Sequence, residues 1–177
     1  PLRFNYNEDY FNNCIWQGIP IDGYTRVFEN LIYNKRISFQ PLTEYNINNP
    51  IKPKYLTIYT GPIDKLFNYR YGKLSWRSLK FKNKIVQQED FQGTSVINYP
   101  QLKYEFTRIH EPKHLHLERN YSKKSTLVIE EYPIINDEEP YYPINDNNNR
   151  AIHRLYKRDI NKLKNFIIGG RLADYAY

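Results

Sequence analysis

Tyr55-Leu56-Thr57-Ile58-Tyr59-Thr60-Gly61-Pro62 is a β-favouring run stopped by a tight turn, and Phe166-Ile167-Ile168-Gly169-Gly170-Arg171 repeats that plan far downstream. Each predicts a short strand that ends where glycine lets the backbone closely approach a ligand. The chain between them is strand-rich, with β patterns over 76–81, 95–99, 104–110, 113–117 and 126–132. Turns separate these runs, spacing that predicts an antiparallel sheet rather than βαβ units. Upstream, Tyr24, Val27, Phe28, Leu31 and Ile32 recur every three to four residues and predict a helix over 24–34 after the Asp22-Gly23 turn, followed by a short strand over 37–41. Downstream, Ile152, Leu155, Tyr156, Ile160 and Leu163 mark a helix from about Asn147. The Asn/Pro-rich run 46–53 and the acidic run 136–149 read as surface loops. The fold expected is α/β with mixed α+β character: an antiparallel sheet inserted into a parallel α/β domain.

The chain has 177 residues with 40% hydrophobic content, enough for one sizeable core and too apolar for whole-chain disorder. No apolar run approaches the ~18 residues of a membrane helix, so a cytoplasmic protein without a membrane partner is expected. Cys14 is the one cysteine; it reads as a small buried or half-buried apolar group. Lys and Arg number 26 against 19 Asp and Glu, a net charge of +7 that favours an anionic partner. Eighteen Tyr, nine Phe and two Trp offer flat faces and hydroxyl donors suited to nucleotides and sugars, although the scarcity of Ala also fits codon bias. The chain starts at Pro1 and contains no Met, which points to a segment of a longer protein.

Arg3, Arg77, Arg108 and Arg171 with Tyr142 and Tyr177 are the residues a diphosphate clamp requires, because guanidinium forks match phosphate oxygens and Tyr hydroxyls add neutral donors. On a strand over 104–110, Arg108 would share a face with Tyr104, Phe106 and His110, and its structural alternative is a contact with Glu111 or Glu131. Glu131 continues the apolar face of Leu127 and Ile129, which calls for a specific partner. His110, His114 and His116 near Glu111 and Glu118 invite a metal reading, but a basic strand face in water accounts for them, and no metal is expected. The carboxylates of 137–139 read as solvated. The chain contains no G-x-G-x-x-G, P-loop, G-x-S-x-G or H-E-x-x-H motif, so any chemistry falls to a cofactor.

Together these residues identify a resemblance. The ordered motifs are Pro1-Leu2-Arg3-Phe4 with Tyr10-Phe11, Gln17-Gly18-Ile19-Pro20, Gly23-Tyr24-Thr25, Tyr59-Thr60-Gly61-Pro62-Ile63-Asp64 and Trp76-Arg77-Ser78-Leu79. They continue with Phe91-Gln92-Gly93, Thr107-Arg108-Ile109-His110-Glu111, Glu131-Tyr132-Pro133, 137–146 and Gly169-Gly170-Arg171-Leu172. In this order and spacing the chain resembles the bacterial-type UDP-galactopyranose mutases over essentially its whole length, as a central to C-terminal segment.

The resemblance implies an isomerase using reduced FAD to interconvert UDP-galactopyranose and UDP-galactofuranose, for surface glycan, through a flavin N5–galactose adduct. It implies a homodimer for the complete protein, and a substrate-side sheet over 62–145 between pieces of a Rossmann-like FAD-binding domain over 1–61 and 146–177. It implies that Arg3 and Arg108 hold the diphosphate, that Tyr142 and Tyr177 donate to it, and that Asn98 lines the substrate site. Arg77 and Glu131 join Arg108 as catalytic candidates, and Thr60, Gly61, Gly170 and Arg171 as contacts to FAD. Trp16 takes the place of a family tyrosine, exchanging a hydroxyl for an indole, and Glu105-Phe106-Thr107 stands where the family has Pro-Tyr-Thr. The alternatives are a basic, aromatic nucleic-acid-binding module and an inactive remnant of the fold.

Overall fold

The computed structural model describes residues 14–135 and 139–176. In chain order the elements are α1 (Gly23–Ile32), β1 (Thr57–Tyr59), α2 (Ile63–Leu66), β2 (Trp76–Val86), β3 (Val96–Asn98), β4 (Arg108–His110), a 3₁₀ turn (Pro112–Leu115), β5 (Thr126–Ile135), β6 (Tyr142–Pro143), α3 (Asn147–Ile160), β7 (Phe166–Ile168) and α4 (Gly170–Asp174). The strands form a five-stranded antiparallel sheet, ordered β3-β4-β5-β2-β6, and a separate parallel pair, β1 with β7. The molecule is thus mixed α/β, and the two strand-then-glycine segments are neighbours despite their separation in sequence.

The β2–β5 pairing runs from Arg77 opposite Ile135 to Val86 opposite Thr126. The sequence predicts a strand over 76–81 only, because Lys82-Asn83-Lys84 has poor β propensity. Pairing overrides it: Lys82 lies opposite Glu130, and the Lys84 ammonium bonds the same carboxylate. β5 likewise continues past its predicted end through Pro133, which is tolerated because β4 pairs only with Ile129–Glu131.

Four expectations are corrected. Residues 113–117 are not a strand; Pro112, with φ fixed and no N–H, opens a 3₁₀ turn instead. Residues 104–107 are not in β4, and Phe106 packs on Tyr99, Tyr104 and Tyr132, the face opposite Arg108. Residues 37–41 are irregular, with no strand partner among the described residues. Cys14 is exposed rather than buried.

The core lies where α2, α3 and the start of β2 meet, built from Ile63, Leu66, Phe67, Leu74, Trp76, Tyr156, Ile160 and Tyr175. Burying each large apolar side chain there contributes about 1.5–3 kcal/mol. Its polar atoms are satisfied: the Tyr156 hydroxyl accepts from Tyr71 N–H at 3.0 Å and donates to the Gly72 carbonyl at 2.7 Å. α3 begins at Asp146, whose carboxylate caps the Asn149 N–H at 2.8 Å. α1 is predicted correctly to within two residues, yet none of its residues is buried; Tyr24, Phe28 and Leu31 are exposed.

Candidate active site

Antiparallel pairing places residues from five strands on one sheet face. Asn98 of β3 lies opposite Arg108 of β4, Arg108 opposite Glu131 of β5, and Arg77 of β2 opposite Tyr142 of β6. Directly paired residues share a face, so side chains distant in sequence meet. They line an open cleft of about 460 Å³ together with Ser78, Leu79, Tyr99, Pro100, Thr107 and Pro133.

Arg108 is held from two sides. Its Nε donates to Asn98 Oδ1 at 2.9 Å, and its Nη1 lies 3.5 Å from Glu131 Oε1. The Glu131 side chain is 7% exposed, and its second oxygen receives His110 Nε2 at 3.0 Å. Arg108 itself stays 45% exposed at the cleft, a cation between the buried Glu131 carboxylate and the exposed Asn98 amide. Glu131, not Glu111, is therefore the carboxylate beside Arg108.

Glu111, just after β4, anchors the loop before β3. Fully buried, its carboxylate accepts from Thr126 Oγ1 at 2.7 Å and from the Phe91 and Gln92 N–H groups. Burial alone pushes its carboxyl up, but the bonds from Thr126, Phe91 and Gln92 hold it below the usual value. These bonds tie down the loop that leads into β3 and hence to Asn98. His114 joins this cluster through Asp90, while Lys113 Nζ lies 3.5 Å from Glu111 and already supplies a cation. His114 and His116 do not share a strand face, since His114 lies in the 3₁₀ turn and His116 just after it, and His116 pairs with Glu118.

The second group of predicted residues meets at the carboxyl ends of β1 and β7. Tyr59 lies opposite Ile168, and the Gly169 N–H donates to the Tyr59 carbonyl at 3.1 Å. A Cβ on Gly61 would lie 2.6 Å from the Tyr59 hydroxyl oxygen, and Gly170 has φ +81° with Thr60 alongside. Glycine is thus favoured at both turns, at Gly61 because the Tyr59 ring fills the Cβ space and at Gly170 because of its positive φ, and the two turns form a glycine crest at the strand ends. Tyr59 is pushed up to about 12, first by burial and then by the Asp64 and Glu44 carboxylates. Arg171 bridges the two regions: its Nη1 donates to the Tyr141 carbonyl at 2.8 Å, and its guanidinium lies over the Tyr142 ring.

Five predicted substrate-side residues therefore converge, namely Arg77, Asn98, Arg108, Glu131 and Tyr142. Trp16 is 89% exposed and is not among the residues lining the cleft. Arg3 and Tyr177 lie outside the described residues. Sequence reasoning did not single out Thr107 as lining the cleft or His110 as the partner of Glu131, although period-2 alternation placed His110 on the Arg108 face.

The family model for UDP-galactopyranose mutase matches residues 1–177. The chain belongs to the UDP-galactopyranose mutase family. Among curated relatives of this family, it is 38% identical to the UDP-galactopyranose mutase of Mycoplasma genitalium, over 96% of the chain and 45% of that protein. It is 34% identical to the "Probable UDP-galactopyranose mutase" of Klebsiella pneumoniae, over 100% of the chain and 45% of that protein. It is 31% identical to the dTDP-fucopyranose mutase of Escherichia coli, over 100% of the chain and 48% of that protein. The chain spans about half the length of the curated relatives it matches.

Proposed function

We propose that this chain is the central and C-terminal part of a flavin-dependent mutase that interconverts the pyranose and furanose forms of a nucleoside-diphosphate sugar, UDP-galactose first. The observation that carries the reading is the Asn98–Arg108–Glu131 unit, a solvent-facing guanidinium oriented by two partners on the sheet face that also bears Arg77 and Tyr142. Such a unit holds a diphosphate by charge-assisted hydrogen bonds without needing a protein nucleophile.

In this reading Arg108 and Arg77 face the diphosphate, Tyr142 adds a neutral donor, and Asn98 and Glu131 keep Arg108 from collapsing onto other acceptors. Holding the leaving nucleotide beside the sugar turns its return into an intramolecular step. By the family resemblance, Arg3 and Tyr177 would add a guanidinium and a hydroxyl to the same diphosphate. Thr60, Gly61 and Gly170 form the crest against which FAD would lie, and Arg171 joins that crest to Tyr142. Bound reduced FAD supplies the nucleophile for the anomeric carbon that no side chain here offers. The parallel β1–β7 pair is then part of a Rossmann-like FAD-binding domain over 1–61 and 146–177, with the substrate-side sheet over 62–145 inserted into it.

The test is turnover of UDP-galactofuranose by the complete protein with dithionite-reduced flavin, beside dTDP-fucofuranose because one relative is a dTDP-fucopyranose mutase. Conversion of either sugar, lost by at least about 100-fold in Arg108→Ala with the fold intact, is expected for a residue acting on developing charge. No conversion of either by flavin-loaded protein would overturn the reading.

A further inference from the structure

We propose that His110 is a positioning residue that fixes the Glu131 carboxylate and, through it, the Arg108 guanidinium; this rests on the nucleotide-sugar reading of that cleft. Glu131 Oε1 meets Arg108 Nη1 and Thr107 Oγ1 at 3.5 Å, the long end of hydrogen-bond range, so it acts on the guanidinium mainly by charge, and where that charge sits depends on how the carboxylate is anchored. A glutamate carboxylate turns easily about its last torsion, so something shorter must hold it. The short contact is His110 Nε2 to Oε2 at 3.0 Å. With Oε2 engaged there, Oε1 is left facing Arg108 and Thr107.

The His110 ring lies edge to face with Phe81, centroids 6.3 Å apart, and lines an open notch of about 240 Å³ with Phe81, Asn83, Pro112, Leu115 and Ile129. Around it Glu131 and Ile129 come from β5, Phe81 and Asn83 from β2, and Pro112 and Leu115 from the 3₁₀ turn. Glu131 is the one titratable side chain among the described residues that bonds to it. His110 has no place in the cleft lining, so it acts on the ligand only through its neighbours.

The experiment compares His110→Leu with His110→Gln in the complete protein, Gln retaining one N–H donor to Glu131. Two readouts are followed: the Arg108 Nε–H NMR signal, assigned by its loss in Arg108→Lys, and the Kd for UDP. The expected result is a shifted or broadened Arg108 signal and a Kd raised about tenfold in His110→Leu, with both restored to within about twofold in His110→Gln. In a Glu131→Gln background the His110 substitutions should change neither readout further. An Arg108 signal unmoved by His110→Leu, or a Gln variant as impaired as the Leu variant, would overturn the proposal. If the Leu variant does not fold, the Gln variant and the Glu131→Gln background decide it alone. If the Arg108 signal responds as expected while wild-type protein binds no UDP, the positioning role stands and the nucleotide reading falls.

Discussion

Arg171 donates from Nη1 to the carbonyl of Tyr141 at 2.8 Å while its guanidinium lies 5.6 Å over the ring of Tyr142. Through this contact the glycine crest after β7 is joined to the edge strand of the five-stranded sheet. A planar cation of this kind contributes about 0.5–2 kcal/mol on an aromatic face, and an ammonium cannot reproduce its geometry. Arg171→Lys in the complete protein should therefore raise the Kd for UDP about three- to tenfold by removing one of the contacts that place the Tyr142 ring. Titration with UDP, followed by tyrosine fluorescence, checks this; an unchanged Kd means the Tyr142 ring is held elsewhere.

Tyr156→Phe should cost about 0.5–1.5 kcal/mol of stability, because it removes the hydroxyl that the Tyr71 N–H and the Gly72 carbonyl share at the edge of the core. Tyr156 does not line the cleft, so UDP affinity should persist wherever the variant is folded. Urea unfolding with a parallel UDP titration separates the two effects.

Gly61→Ala should damage the crest. The new Cβ would stand 2.6 Å from the Tyr59 hydroxyl oxygen and 2.8 Å from Cζ, and that ring is packed against Tyr45 and Phe166. Displacing it breaks the Tyr59 hydroxyl bond to the Pro62 carbonyl and costs about 1–3 kcal/mol. Flavin content of the purified complete protein should fall more than its helicity by circular dichroism; full flavin loading would show that the turn does not face the cofactor.

Acid sensitivity should concentrate at Asp159. The Tyr71 hydroxyl first, then Lys162 and Arg70, hold its carboxyl down to about 2. The folded value lies below the unfolded value of about 3.9, so this stabilisation is present above about pH 4 and is lost as pH falls towards 2. Asp159→Asn should be less stable at neutral pH and show a shallower loss of stability between pH 4 and 2. Thermal midpoints measured across that range test both statements, and parallel profiles for the two proteins would refute them.

Much of the fold was legible because local patterns spoke for it. The helices after Gly23 and Asn147, the short strands before Gly61 and Gly169, and the antiparallel middle all follow from periodicity and turn chemistry. What periodicity misread was decided by partners. Lys84 lies within a strand because β2 pairs with β5 and its ammonium bonds the Glu130 carboxylate that stands opposite Lys82, and His114 left its predicted strand because Pro112 begins a 3₁₀ turn. The convergence of Arg77, Asn98, Arg108, Glu131 and Tyr142 was reached from motif resemblance, whereas pattern alone placed Arg108 with Phe106 on the wrong face.

By itself the sequence determined residue type and local conformation: a basic, tyrosine-rich chain, glycine at two strand ends, and the motifs of the UDP-galactopyranose mutase family. Only the tertiary structure decided which carboxylate neighbours Arg108, that His110 holds that carboxylate, and that Arg171 reaches Tyr141. The reason is physical. Hydrophobic spacing and turn propensity act over a few residues and are written locally, whereas strand register joins residues far apart in the chain, and a shift of one position would turn every side chain of the cleft to the other face.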